Sequence, residues 1–301
     1  MTAPDRSTLI RLLGGHTPSR LACIGGSAHP SASPEVSARW LTLERTDGAR
    51  IRACLTGPAG PWADRPAVLY IHAHGGKYDI GADELMAGRP ALIDPPYGEA
   101  LAGAGIVALC LDLPCFGSRA TEPESRAAKR HLWAGTTLFG EMLDDLAGGL
   151  DLLAGWPGVD PARIGAFGLS MGATLTFWLA ALDPRLRCLA HLCCFADLGE
   201  LVRLDGHDRH GLYMMVPGLL PALRTGAIAG LAAPRPQFAA MGAADPLTPP
   251  TAIDIAIADT RAAYAAAGAK DAFETLVDPA TGHVETPEMR AAVLRFFARC
   301  L

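Results

Sequence analysis

From residue 67 to the end of the chain, short apolar runs alternate with longer segments of helical periodicity. The runs cover 67–71, 106–111, 163–167, 188–192, 237–241 and 273–277. Continuous apolar runs of this length are typical of strands buried on both faces of a sheet. The segments between them predict helices over 136–154, 171–182, 251–267 and 287–300. This alternation predicts an α/β fold: a doubly wound, mostly parallel sheet with helices on both faces.

An antiparallel element precedes the alternating part of the chain. Two strand-like segments, 39–45 and 49–54, flank the dipeptide Asp47-Gly48. Aspartate followed by glycine between strands is a tight-turn signal, because glycine tolerates the positive φ of the turn. The sequence therefore predicts an N-terminal β-hairpin.

The chain shows no repeat and no low-complexity linker that would divide it cleanly. Residues 1–38 hold glycine pairs and prolines, which predict a loop-rich N-terminal arm. We expect residues 39–301 to form a single domain. Within it, residues 199–234 follow a predicted strand and change from polar to apolar, which indicates a small lid over the site.

Composition excludes several classes of protein. Hydrophobic residues make up 50% of the chain and charged residues 19%, which argues against disorder. The net charge is −5, so the basic excess of a nucleic-acid-binding protein is absent. No apolar stretch approaches the length of a membrane span. We therefore expect neither a nucleic-acid partner nor a membrane partner.

Eight cysteines occur in the chain, several of them inside apolar runs and none in a C-x-x-C pair. This distribution is typical of reduced, buried thiols rather than of a disulfide scaffold or a structural zinc site. The N-terminal residues also lack the apolar segment of a secretory signal. We therefore expect a cytoplasmic protein.

The run 163–167 is followed by a G-x-S-x-G motif made of Gly168, Ser170 and Gly172. This spacing places the serine on a sharp turn from strand to helix, where larger residues in place of the glycines would collide. The turn exposes the hydroxyl above the sheet and directs the next N–H group, that of Met171, toward a bound carbonyl oxygen. Ser170 is therefore the candidate nucleophile.

A serine nucleophile needs a base, and the base needs an acid to orient it. Asp245 follows the run 237–241, and His283 follows the last run. Ligands bind at the carboxyl ends of the strands in such sheets, so these side chains are expected to meet Ser170 there. Two other acids, Asp278 and Glu285, lie near the histidine, and we expect both to occupy solvated loops.

These motifs resemble those of the α/β-hydrolase superfamily, and most closely its dienelactone hydrolase and acetyl xylan esterase-like branch. The resemblance covers roughly residues 49–301 and depends on Ser170, on Asp245 and on His283, which occur in the order expected for that fold. Dienelactone hydrolases proper use a cysteine nucleophile, whereas this chain has a serine. The resemblance therefore implies ordinary serine ester chemistry rather than lactone opening.

The resemblance also implies a second oxyanion donor in the loop after the run 67–71. If His72-Ala73 matches the His-Gly pair of relatives, the backbone N–H of His74 is the donor. If the loop matches a His-Gly-Gly motif instead, the donor is Gly75 or Gly76. No acidic ligand accompanies the two histidines at metal spacing, so we expect no metal ion and no cofactor.

The leading functional interpretation is a serine hydrolase that cleaves a carboxylic ester of a small or medium-sized molecule through an acyl-enzyme. A peptidase or amidase, a thioesterase and a C–C bond hydrolase use the same three residues and stay open. A protein of a different class, a binding module with a silent site, is the remaining alternative. Pocket shape depends on segments 78–97 and 199–234, which carry no chemical motif. A homo-oligomer is also left open.

Overall fold

The structure, a computed structural model, describes residues 5–29 and 34–301. In this part of the chain a single sheet contains nine strands in the spatial order β1-β2-β3-β5-β4-β6-β7-β8-β9. The strands are β1 (Leu21–Ala28), β2 (Val36–Arg45), β3 (Arg50–Pro58), β4 (Arg65–Ile71), β5 (Val107–Leu111), β6 (Val159–Leu169), β7 (Cys188–Leu192), β8 (Gln237–Gly242) and β9 (Phe273–Asp278).

The sheet is antiparallel at one edge and parallel over the rest. Strands β1, β2, β3 and β5 pair antiparallel in that order, and β4 to β9 are joined by parallel pairs. The predicted hairpin is β2 with β3, in which Trp40 lies opposite Cys54. The apolar runs all correspond to strands of the parallel part.

Helices cover both faces of the sheet, which confirms the predicted doubly wound fold. Helices α1 (Arg6–Leu13), α5 (Leu138–Ala154), α6 (Met171–Leu182), α9 (Thr225–Gly230) and α10 (Pro250–Ala266) share one apolar core. The core on the opposite face includes α2 (Glu84–Ala87), α3 (Tyr97–Gly103) and α11 (Pro287–Cys300). The remaining α-helices in the described part are α4 (Glu124–Trp133), α7 (Leu198–Arg203) and α8 (Leu219–Ala222).

Strand β4 shows why its sequence lacks the polar alternation of a half-exposed strand. Ala67, Leu69 and Ile71 point into one core, and Val68 and Tyr70 point into the other. All five are at most 1% exposed. Complete burial of a large apolar side chain contributes about 1.5–3 kcal/mol. The strand is therefore held from both faces at the centre of the molecule.

The expectation of a loop-rich N-terminal arm is wrong for the residues that the structure describes. Residues Arg6–Leu13 form α1, and Leu9 and Leu13 are buried in the core beside α6. Leu21–Ala28 form β1, the antiparallel edge strand on β2. The helix forms because the two leucines are four residues apart and Asp5 caps its first turn. The domain division at residue 38 stays a prediction.

Residues 199–234, the predicted lid, are largely helical in short pieces and include most of α7 together with α8 and α9. Whether this segment moves stays a prediction. Among the described residues, no helix is both long and apolar enough to cross a membrane.

An ion network joins the β2–β3 hairpin to α5. Glu141 of α5 accepts hydrogen bonds from Arg45 at 3.0 Å, from Arg119 at 3.2 Å and from the His131 imidazole at 2.8 Å. Burial acts to raise the pKa of Glu141, but the hydrogen bonds from His131 and Arg45 and the charge of Arg119 outweigh it. The pKa of Glu141 therefore falls to about 2.

Because this folded-state pKa is depressed, the network stabilises the fold fully above pH 4.5, and that stability is lost as pH falls toward 2. We expect Glu141→Gln to lower the free energy of unfolding by about 1–3 kcal/mol at pH 7. The difference in free energy of unfolding between wild type and this variant should be smaller at pH 3 than at pH 7, as measured by urea unfolding. Glu274→Gln, which removes an exposed pair with Arg299, is the control and should cost under about 0.5 kcal/mol. A deficit that is equal at both pH values would contradict this account.

Candidate active site

Ser170 occupies a strained turn between β6 and α6. Its backbone has φ 58° and ψ −117°, a conformation rare for a residue with a side chain. The two flanking glycines make the turn possible. A Cβ atom on Gly172 would lie 2.0 Å from the carbonyl oxygen of Ile71 in β4, and one on Gly168 would lie 2.6 Å from the same oxygen. A larger residue at either glycine position would drive the turn away from the sheet.

The structure brings the three residues predicted from the motifs into one hydrogen-bonded chain. The Oγ atom of Ser170 is 2.9 Å from Nε2 of His283, and Nδ1 of the same imidazole is 2.6 Å from Oδ2 of Asp245. The loops that carry the acid and the base are bonded to each other. The backbone N–H of Ala243 donates to the backbone carbonyl oxygen of Asp278 at 2.8 Å, and the N–H of Ala244 donates to the backbone carbonyl oxygen of Thr281.

Asp245 is only 2% exposed and remains ionised because its oxygens are satisfied. Burial acts to raise its pKa. The hydrogen bond and charge of His283 and the N–H of Leu247, at 2.8 Å from Oδ1, outweigh burial and lower the pKa of Asp245. A carboxylate that accepts from Nδ1 leaves Nε2 free to accept the proton of Ser170.

The competing acids, Asp278 and Glu285, do not bond to the imidazole of His283. The expectation of a solvated loop is wrong for Glu285. Asp278 binds the backbone N–H groups of Ala280 and Thr281 within its own loop. Glu285, expected in a solvated loop, is 4% exposed and forms an ion pair with Arg290 at 2.7 Å. Its carboxylate also accepts the hydroxyl of Tyr97 and the backbone N–H of Ile93. The buried arginine and tyrosine lie on other elements, which is why the sequence around Glu285 suggested exposure.

The loop after β4 is the predicted source of the second oxyanion donor. Within it, the N–H of Gly76 donates to Nδ1 of His74 at 3.0 Å, so this group is already used. Among the three alternatives, His74 and Gly75 therefore remain as donors. The imidazole of His72, by contrast, is buried and accepts from the N–H of Leu113 at 3.2 Å. The two histidines have separate partners.

Met171, the donor predicted from the motif, is the first residue of α6 and is completely buried. The first N–H groups of a helix have no partner within the helix and lie at its positive end. Its backbone N–H therefore belongs to a helix terminus suited to a developing negative charge.

A cavity of about 720 Å³ is lined by His74, one of the two candidate oxyanion donors, whereas Ser170, Asp245 and His283 are not among its wall residues. His74 contributes to its wall, and so does His210, whose Nε2 donates to the oxygen of Leu247 beside the acid. Burial lowers the pKa of His210. The polar lining residues are His74, Tyr78, Thr121, Glu122, Glu124, Ser125, Asp208 and His210.

Two of these lining residues were missed or left without a role by the sequence analysis. Glu124 begins α4, a helix that was not predicted, and its partners are distant in sequence. His210 was noted only as part of the lid segment. No local pattern identifies either residue, because each becomes part of the site only when separate loops meet.

The sheet order, the elbow and the position of the acid and base loops define an α/β-hydrolase fold, which confirms the resemblance. Solved structures agree. Acetyl Xylan Esterase 1 from Thermoanaerobacterium sp. JW/SL YS485 aligns with a TM-score of 0.66 at 16% identity, over 99% of this chain and 95% of that one. A glucuronoyl esterase from Solibacter usitatus aligns with a TM-score of 0.70 at 14% identity, over 98% and 91%.

No family model matches the chain. Among curated proteins, it is 34% identical to the protein named "Putative hydrolase YtaP" from Bacillus subtilis (strain 168), over 100% of both chains. At that identity and coverage, the chain belongs to the same family of α/β hydrolases as the Bacillus protein.

The elbow geometry yields a test. Gly172→Ala places a methyl group against the carbonyl of Ile71, so we expect a loss of about 1–3 kcal/mol of stability. Displacement of Ser170 should also reduce activity far more than stability alone explains. Gly103→Ala is the control, because a Cβ there meets no atom within 4 Å. Thermal unfolding and ester hydrolysis measure both effects. A Gly172→Ala variant with normal activity would show that the turn tolerates a side chain.

Proposed function

We propose that this chain is a serine hydrolase that cleaves carboxylic esters through an acyl-enzyme. The observation that carries the proposal is the chain of hydrogen bonds from Ser170 through His283 to the buried Asp245. A hydroxyl, a base and an orienting acid at these distances form the arrangement that activates serine for attack on a carbonyl carbon.

In the first half of the reaction, Nε2 of His283 takes the proton of Ser170 while Oγ bonds to the carbonyl carbon. The carbonyl oxygen becomes negative and is stabilised by the backbone N–H of Met171 and by that of His74 or Gly75. His283, now positively charged, is stabilised by Asp245. It then gives its proton to the leaving alcohol, and the acyl group remains on Ser170.

In the second half, a water molecule replaces the alcohol. His283 takes a proton from this water, whose oxygen attacks the acyl carbon. The same N–H groups stabilise the second negative intermediate. His283 returns the proton to Oγ of Ser170 as the carboxylic acid leaves. Each half therefore uses the imidazole once as a base and once as an acid.

The surroundings of the site support a small or medium-sized ester. The cavity of about 720 Å³ lies within the usual range for small-molecule sites. A second, more apolar groove of about 530 Å³ shares wall residues 208 and 210–212 with this cavity and includes Met214, Met215 and Leu220. The names of the two aligned structures describe them as esterases, which also favours ester chemistry.

We also propose a cytoplasmic location. All eight cysteines lie among the described residues and are free thiols. A reducing compartment keeps thiols in this state.

The proposal is tested by initial rates on p-nitrophenyl esters from acetate to octanoate. Ser170→Ala should lower kcat by about a million-fold, and Asp245→Asn by about 10,000-fold, with the fold unchanged by circular dichroism. Ser27→Ala, an exposed serine on β1, is the matched control and should behave as wild type. Full activity in Ser170→Ala would overturn the proposal.

A further inference from the structure

Glu124 joins three separate segments around the cavity through a single buried carboxylate. It is 5% exposed and is the first residue of α4. Its Oε2 atom lies 2.6 Å from Nε2 of His74 and accepts the hydroxyl of Tyr78 at 2.9 Å. Its Oε1 atom accepts the backbone N–H of Tyr213, in the lid segment, at 2.7 Å. Every bond that this carboxylate makes therefore ends on a residue of the cavity wall or the lid.

These contacts determine where the proton of the His74 imidazole lies. The N–H of Gly76 donates to Nδ1 at 3.0 Å, so Nδ1 must be an acceptor without a hydrogen. A neutral imidazole then carries its hydrogen on Nε2, and it can donate that hydrogen only to an acceptor. Burial acts to raise the pKa of Glu124, but the bonds from His74, Tyr78 and Tyr213 lower it overall. The carboxylate is thus available as the acceptor.

The turn that this imidazole holds is intrinsically flexible. Gly75 and Gly76 both have positive φ, 53° and 67°, and glycine adopts many other conformations at little cost. Outside the imidazole bond, the turn is closed by the N–H of Lys77, which donates to the oxygen of His74 at 3.0 Å. The bond from Gly76 to His74 is therefore a main restraint on the loop that carries the second oxyanion donor.

We propose that Glu124 is the positioning residue of the oxyanion loop: it selects the His74 tautomer that binds Gly76 and so holds the donor N–H in place. Through Tyr213 the same carboxylate connects this loop to the lid. The inference rests on the proposed function, because the loop matters only if an oxyanion forms. Glu124 itself takes no part in bond making or breaking.

Glu124→Gln tests the proposal directly. The amide keeps the size of the side chain, but one of its two ends is now a donor. The backbone N–H of Tyr213 can only donate, so the amide oxygen takes the position of Oε1 and the amide nitrogen faces His74. There it donates to Nε2 and moves the imidazole hydrogen to Nδ1, where it opposes the N–H of Gly76. We expect kcat for p-nitrophenyl acetate to fall by roughly 10- to 100-fold with KM nearly unchanged. Tyr78→Phe removes a neighbouring bond to the same oxygen and should cause a smaller loss.

A double-mutant cycle separates positioning from general support of the fold. Asparagine at position 74 can accept the Gly76 N–H through its own side-chain oxygen, as in an Asx-turn, without help from a carboxylate. In a His74→Asn background, Glu124→Gln should therefore change kcat by less than about threefold. An equal loss in both backgrounds would overturn the proposal, since Glu124 would then act independently of His74.

The tautomer can be read in the wild-type protein by ¹⁵N–¹H NMR of the imidazole, with the His74 signal identified by its loss in His74→Asn. The proposal requires hydrogen on Nε2 and none on Nδ1, and hydrogen on Nδ1 would overturn it even if Glu124→Gln does not fold. Wild type without ester hydrolysis would overturn the proposed function, and the tautomer measurement would then still show whether the Nε2 hydrogen of His74 is present as proposed. Ester hydrolysis that needs Ser170 but is unchanged in Glu124→Gln would overturn the positioning role alone.

Discussion

The site depends on the close approach of the start of α6 to the backbone of β4. Ser170 keeps a strained conformation because Gly168 and Gly172 let the turn lie against the carbonyl of Ile71. Strain of this kind persists only where the surrounding structure holds it. Here both faces of β4 are buried, so the strand cannot shift away from the start of α6. The central core therefore sets the position of one hydroxyl, and the remaining groups are arranged around it.

Asp245 and His283 are held in place by contacts between their own loops. The turn after β8 and the loop after β9 bind each other through backbone hydrogen bonds, so Asp245 and His283 are positioned as one unit. Buried polar groups of this kind are stable only when their bonding is complete. The oxyanion loop follows the same rule with another buried carboxylate, Glu124. Two buried acids thus each bond to an imidazole, Asp245 to His283 and Glu124 to His74.

The sequence predicts best what is determined locally. Buried strands appear as continuous apolar runs, and α6 has the predicted bounds because the turn at Ser170 precedes its first residue and Pro184 prevents its extension. Strand β1 was missed because it contains two glycines and is exposed on nearly every residue. The role of Glu124 was missed for another reason: its partners come from distant segments. Glu285 was placed in solvent because Tyr97, which bonds to it, is also distant in sequence. Such contacts form only when the chain folds, and no sequence pattern indicates them.

Ser170 acts as an activated nucleophile in the proposed mechanism, and covalent labelling is the sharpest test of this role. Only a serine served by a working base reacts readily with a fluorophosphonate. We expect one phosphonyl group per chain, located on Ser170 by peptide mass spectrometry. Ester hydrolysis should be lost in proportion to the labelling. Hydrolysis that continues in a fully labelled protein, or hydrolysis by a protein that the reagent does not label, would contradict it.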